Sequence, residues 1–215
     1  MESTAWNPLE TLAEEQREKL CAFERMLLDF NRKLNLVSRE TSAFFEERHV
    51  LHALALSVRP FPPGAVVVDW GTGGGLPAIP LAIRFPDVTF HAVDAVGKKI
   101  RAVATMARRL GLGNLHAWHG RAEDWPGRAH YSVSRATAPL VDLWRWHVAA
   151  RDPSVPARTE EAWPPGLICL KGGDLTGEIE TLRAAFPSVE VETRPLEPLL
   201  ERAYFAEKHL VTVRS

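Results

Sequence analysis

Val66-Val67-Val68-Asp69-Trp70-Gly71-Thr72-Gly73-Gly74-Gly75-Leu76-Pro77 decides the fold. With Ala65 it opens on a continuous apolar run that ends at Asp69. Such a run fits a strand buried on both faces of a parallel sheet. Glycines follow, which let a chain turn sharply and approach a ligand without a Cβ in the way. Pro77 suits the first turn of a helix. The stretch therefore reads as strand, tight loop, helix.

Outward from it, strand-like and helical segments alternate. Thr89 to Val93, Leu115 to His119, Tyr131 to Ser134 and Leu167 to Leu170 read as strands, and Val189 to Thr193 and Leu210 to Val213 are able to close the sheet. Pro77 to Arg84, Lys98 to Leu110, Pro139 to Ala150 and Leu175 to Phe186 read as helices, and the proline-rich Arg151 to Pro165 reads as a loop. This alternation implies an α/β fold with a doubly wound, mostly parallel sheet. Upstream, Leu20, Phe23, Leu27, Phe30 and Leu34 step by three and four along a helix from Leu9 to Leu34. A second helix is expected from about Thr41 to Val58, stopped by Pro60, Pro62, Pro63 and Gly64. The expected division is thus a helical extension over 1–60 and an α/β domain over 61–215.

Ligands of such sheets sit beyond the carboxyl ends of the strands. Three chemistries compete for the glycine loop. A dinucleotide fold wants GxGxxG/A, which Gly73, Gly75 and Ala78 satisfy. An S-adenosylmethionine site wants a strand-end acid and GxGxG, which Asp69, Gly71, Gly73 and Gly75 satisfy. A ligand-free tight turn is the third. At the next strand end, Asp94 can accept both ribose hydroxyls of an adenosine or cap the following helix. Glu123 can accept an adenine amino group while Ala122 offers its amide, or lie in a solvated turn. Arg135, amid small residues, suits a carboxylate or phosphate, or a structural ion pair.

The bulk properties exclude several classes. The 215 residues carry 26 Lys+Arg and 27 Asp+Glu, net charge -1, which argues against a generally basic nucleic-acid coat but not against a local basic face. Cys21 and Cys169 are the only cysteines, so a disulfide framework or cysteine-rich zinc site is excluded and a cytoplasmic location is expected. No apolar run approaches the roughly 18 residues of a membrane span. The polar start MESTAWNPLE is not read as a secretory or transit signal.

VVDWGTGGGLPAIPLAI, HAVDAVGKKIRAV, GRAEDW, VSRATAP and CLKGG occur in this order, with NLVS at Asn35–Ser38 and RHVL at Arg48–Leu51. Together these segments resemble the bacterial ribosomal RNA small-subunit methyltransferase G family, also called glucose-inhibited division protein B, from about Leu20 to Val213. The resemblance implies a Rossmann-like class I S-adenosylmethionine-dependent methyltransferase fold. It implies methylation of N7 of guanosine 527 in 16S rRNA, within a small ribosomal subunit or its assembly intermediate, with no metal and no membrane. Carried over, Gly71, Gly73 and Leu76 line the cofactor, with Asp69 at the loop. Asp94, Ala95 and Val96 hold ribose and adenine, and Ala122 and Glu123 flank the adenine. Arg135 lies near the methionine end and the incoming base, as the one catalytic candidate. Lys98, Lys99 and Lys171 face RNA, and Arg101, in one basic cluster with Lys98 and Lys99, is expected beside them. The family often continues its RHxL segment with Asp-Ser, whereas His52-Ala53 follows here. No role for Arg48 is carried over on that account, and His49 is read as a packed or surface histidine.

Guanine N7 presents an unprotonated lone pair at neutral pH, so no base must remove a proton before attack. That fits the lack of an Asn-Pro-Pro-Tyr amino-methylation motif and of a catalytic cysteine pair. Alignment then carries the catalysis, and it can contribute roughly 7–11 kcal/mol. Arg135 donating to O6 or to a phosphate leaves N7 open. The rivals are a nicotinamide-dependent oxidoreductase, a non-catalytic RNA-binding module and a small-molecule methyltransferase. The first leaves Asp69, Glu123 and Arg135 unexplained. The basic clusters Lys98-Lys99-Arg101 and Arg108-Arg109 favour RNA over a small molecule.

Overall fold

The computed structural model describes residues 6–38, 40, 43–135, 137–154 and 157–215. Thr41, where the second helix is expected to start, and Ala136 lie outside them. The first helix, α1, runs Glu14–Leu34 and buries Leu20, Phe23 and Leu27 on one stripe. It ends at Asn35, which takes a left-handed conformation (φ 50). The Asn31 carboxamide oxygen accepts the Leu36 and Val37 amides, turning the chain back toward the sheet. The next helical stretch is three short turns: a π-helical turn at Glu46–Leu51, an α-helical turn α2 at His52–Leu54, and a 3-10 turn at Ala55–Val58.

A seven-stranded sheet follows, in the order β3-β2-β1-β4-β5-β7-β6. Its strands are β1 Val66–Trp70, β2 Thr89–Asp94, β3 Leu115–His119, β4 Tyr131–Arg135, β5 Gly166–Gly172, β6 Glu190–Pro195 and β7 Lys208–Arg214. β1 to β5 pair in parallel, while β7 is antiparallel to both β5 and β6. The connecting helices are α3 Ala78–Arg84, α4 Gly97–Arg109, α5 Leu140–Ala150, α6 Thr176–Ala185 and α7 Glu197–Leu200.

Parallel strands need crossovers, and the crossovers put helices on both faces. On one face Phe23, Leu27, Leu54, Ile79 and Val103 pack with Val67 and Phe90 in a single cluster, so the N-terminal helices and the sheet share a core. On the other, Leu140, Leu143, Trp144 and Leu182 pack with Val68, Trp70 and Cys169. Strand order reverses between β1 and β4, where a crevice is expected beyond the carboxyl ends.

Candidate active site

The glycine loop leaves the end of β1. Gly71, Gly73 and Gly75 all have positive φ (70, 57 and 88). A Cβ at Gly71 would lie 2.4 Å from Thr137 Cγ2, and one at Gly75 2.5 Å from Ile79 Cδ1. The loop consumes its own donors. The Gly71 and Thr72 amides both donate to the Val93 carbonyl at 2.9 Å. Gly73 N–H donates to Asp94 Oδ2 at 2.9 Å. Gly75 and Leu76 N–H donate to the Thr72 carbonyl, and Ala78 N–H to Asp69 Oδ2 at 3.2 Å.

The two strand-end acids do different things. Asp69 is 1% exposed and points under the loop at the start of α3. Burial pushes this carboxyl up to about 7, against the pull of the Thr72 hydroxyl, the Ala78 amide and Arg135. Asp94 faces the crevice with one oxygen on Gly73 N–H and the other on Val96 N–H at 2.8 Å. A carboxylate has about four lone-pair sites, so each oxygen keeps one for a ligand hydroxyl.

A cleft of about 240 Å³ opens here, lined by Gly71, Asp94, Ala95, Ala122, Glu123, Thr137 and Trp146 among others. Ala122 and Glu123 lie on a 3-10 turn, Ala122–Asp124, just beyond β3. The side chain of Leu76, expected along the cofactor, is buried in the core that the N-terminal helices share with the sheet.

Arg135 ends β4, and its Nη1 donates to His49 Nδ1 at 3.0 Å. Burial pushes the guanidinium below its usual value, opposed by Asp69 and Tyr204. His49 is 5% exposed and pushed down to about 4 by burial, Arg135 and Arg48. Arg48, one residue earlier, lies over Phe44 at 4.2 Å and over Tyr204 at 4.9 Å. Lys98 and Arg101 are exposed and Lys99 half-buried on the first turns of α4, directly after Val96. Lys171, expected to face RNA, is instead buried: its Nζ donates at 2.7 Å to both the Ala138 carbonyl and Glu178 Oε2. Among the described residues, no group of three or more His, Cys, Asp or Glu is placed to hold a metal, and no helix is long and apolar enough to cross a membrane.

A family model described as rRNA small subunit methyltransferase G matches residues 16–154. A Salinibacter ruber protein named ribosomal RNA small subunit methyltransferase G is 56% identical, covering 100% of both chains. A Bacteroides thetaiotaomicron protein of the same name is 40% identical over 93% of each. The chain belongs to the rRNA small subunit methyltransferase G family. Among solved structures it is similar to a SAM-dependent methyltransferase from Aquifex aeolicus, with TM-score 0.54 and 12% identity over 79% of this chain and 90% of that one. It is also similar to a precorrin-6y C5,15-methyltransferase from Geobacter metallireducens, with TM-score 0.55 and 11% identity over 77% and 86%. At these identities the likeness is one of fold, the Rossmann-like methyltransferase fold.

The donor set in this member of the methyltransferase G family fits S-adenosylmethionine. A pyrophosphate needs free loop amides and a positive helix N-terminus. Here the loop amides are largely spent, and the buried Asp69 carboxyl already occupies the start of α3. An adenosine needs instead a carboxylate at the cleft edge, and Asp94 is there. Sequence reasoning gave Thr137 and Trp146 no role, and it missed the contact between His49 and Arg135. Thr137 stands inside the VSRATAP segment and His49 inside RHVL, but each motif marks a position without showing what that position meets in space.

Proposed function

We infer that the protein transfers a methyl group from S-adenosylmethionine to N7 of guanosine 527 in bacterial 16S rRNA. The observation that carries this is the glycine loop closed on its own carbonyls and on Asp94, beside a cleft suited to an adenosine. S-adenosylmethionine supplies an activated sulfonium methyl when bound. Residues 61–215 act as the methyltransferase domain and residues 1–60 as a helical extension packed on it. Asp94, Ala95 and Val96 hold the ribose and adenine, Ala122 and Glu123 flank the adenine, and Gly71 and Gly73 leave room for the cofactor. Asp69 shapes the loop from below.

Arg135 orients the guanine through O6 or a phosphate and leaves N7 open to attack. Its charge is permanent, so it acts as a donor throughout. No side chain is needed to take a proton from the nucleophile. Lys98, Lys99 and Arg101 meet RNA phosphates. Cations at a helix N-terminus oppose the macrodipole, and α4 has no acidic residue in its first turn, which supports a role for these residues outside the helix. The substrate is the RNA within a small ribosomal subunit or its assembly intermediate, in the cytoplasm, and no metal takes part.

Three measurements test the reading. Calorimetry should show S-adenosylhomocysteine binding and no NAD binding; binding of NAD alone sinks it. Tritiated methyl transfer offered to 16S rRNA, protein and small molecules should label only the RNA. The single-turnover rate should stay level from mildly acidic to mildly alkaline pH. A rate rising about tenfold per pH unit through neutrality means that a proton leaves first, and it rejects N7.

A further inference from the structure

The contact between His49 and Arg135 has a direction that chemistry fixes. A guanidinium is always protonated and offers only donors. Its Nη1 lies 3.0 Å from His49 Nδ1, so Nδ1 is the acceptor and the ring proton sits on Nε2. An imidazolium would present donors to a permanent cation, so the contact selects the neutral ring. We propose that His49 is the positioning residue of Arg135, holding the guanidinium in one direction at the carboxyl end of β4. The proposal rests on the reading of Arg135 as the group that meets the target base.

Three further features of the structure support it. The imidazole is fixed from behind: its ring lies 5.2 Å from the Phe45 ring, which packs edge-on to Phe23 at 5.8 Å. Residues 46–51 form a π-helical turn, an uncommon distortion found mostly at functional sites. Within that turn Arg48 is drawn to the Phe44 and Tyr204 rings while the next residue meets Arg135. Finally, the surroundings keep His49 neutral. Arg135 faces it from β4 and Arg48 from its own turn, while His52 is close enough to interact; Lys208 acts on His52, and Tyr204 lies under Arg48 and acts on Arg135. Burial and these cations push His49 down to about 4.

Neutrality explains why histidine suits the position. A carboxylate there would hold Arg135 equally well but cancel its charge. A neutral acceptor fixes the guanidinium and leaves its positive charge for O6 or a phosphate of the substrate.

The test compares His49→Leu with His49→Asn, which branch at the same carbon and differ in the acceptor. Single-turnover methyl transfer is measured at saturating S-adenosylmethionine and 16S rRNA, with S-adenosylhomocysteine affinity measured alongside. His49→Leu should slow the step by about ten- to a hundredfold, the worth of a hydrogen bond to a charged group, with cofactor affinity unchanged. His49→Asn should recover to within about threefold of the original rate. His49→Phe keeps a ring against Phe45 and lacks the acceptor, so it should lose as much as His49→Leu and serves if that variant does not fold. In an Arg135→Ala background, His49→Leu should cost nothing further. A full rate in His49→Leu or His49→Phe, or losses that multiply with Arg135→Ala, overturns the positioning role alone. A full rate in Arg135→Ala overturns the reading of Arg135 itself, and the positioning role with it.

Discussion

Asp69 and Asp94 stand at the ends of neighbouring strands, yet burial gives them opposite tasks. Asp69 is held at about 7 inside the protein, above the unfolded value of 3.8. A raised acid binds more protons folded than unfolded, so its contribution to stability is full below the unfolded value and is lost as pH rises through about 7. Asp69→Asn keeps an acceptor for the Ala78 amide without the charge. The stability of the variant relative to the parent, followed by thermal melting, should therefore climb from pH 4 to about pH 7 by up to about 1.4 kcal/mol per pH unit and level off above it. A constant offset across that range would mean Asp69 is already ionised at low pH. Asp94→Ala should act elsewhere. It should weaken S-adenosylhomocysteine binding by about 1–3 kcal/mol in calorimetry, since it removes acceptors facing the cleft. An unchanged dissociation constant removes Asp94 from the site. Both acids were legible in the sequence because they end apolar runs. The burial of Lys171 was not, since its partner Glu178 lies on a different element, α6.

At the scale of elements, α1 is the lid of the glycine loop rather than an appendage. Leu27 is fully buried, and a Cβ at Gly74 would sit 3.1 Å from Leu27 Cδ1 and 3.2 Å from Leu36 Cβ. The helix and the turn after it therefore press on the loop that faces the cleft. Leu27→Ala should cost about 2–5 kcal/mol in urea unfolding, the range for a leucine deleted from a packed core. It should also weaken S-adenosylhomocysteine binding, since the loop loses its support. Lost stability with unchanged cofactor affinity would uncouple α1 from the loop. The sequence located the strands well: Leu115 to His119 was expected and is observed. Apolar runs between turn residues report strands directly. Helix starts were less legible, because the apolar stripe of α1 continues back through Leu9 and Leu12 while the helix itself begins at Glu14. The π-helical turn was invisible, since one extra residue barely disturbs a stripe with a period near 3.6. Pattern also cannot order strands: β7 enters antiparallel between β5 and β6, a matter of tertiary pairing.

Across the whole molecule, the sheet separates two cores, and buried histidines pack beside each. On one side His49 is pushed down to about 4 and His52 well below its usual value, both chiefly by burial. On the other, His147 is held at about 4, with Nδ1 at 3.0 Å from the Ser132 hydroxyl and its ring stacked 5.0 Å from Trp144. A base with a depressed folded value takes up its proton only on unfolding. Its stability is whole above 6.5 and is lost as pH falls toward 4. Three such histidines act in that window, with the partly buried His91 pushed the same way, and Asp69 opposes them with one proton bound in the folded state, leaving a net uptake of about two protons or more on unfolding. Stability should therefore rise by on the order of 3 kcal/mol per pH unit between about 4.5 and 6.5. It should peak near neutrality, where the net charge of -1 keeps general charge repulsion small. Urea unfolding at pH 4.5, 5.5, 6.5 and 7.5 measures the slope. His147→Gln keeps a polar partner for Ser132 but cannot titrate, so it should lower that slope by about 1.4 kcal/mol per pH unit. A parent slope near zero below pH 6.5 would mean the histidines are reached by water in the folded state, and both cores are looser than their burial indicates.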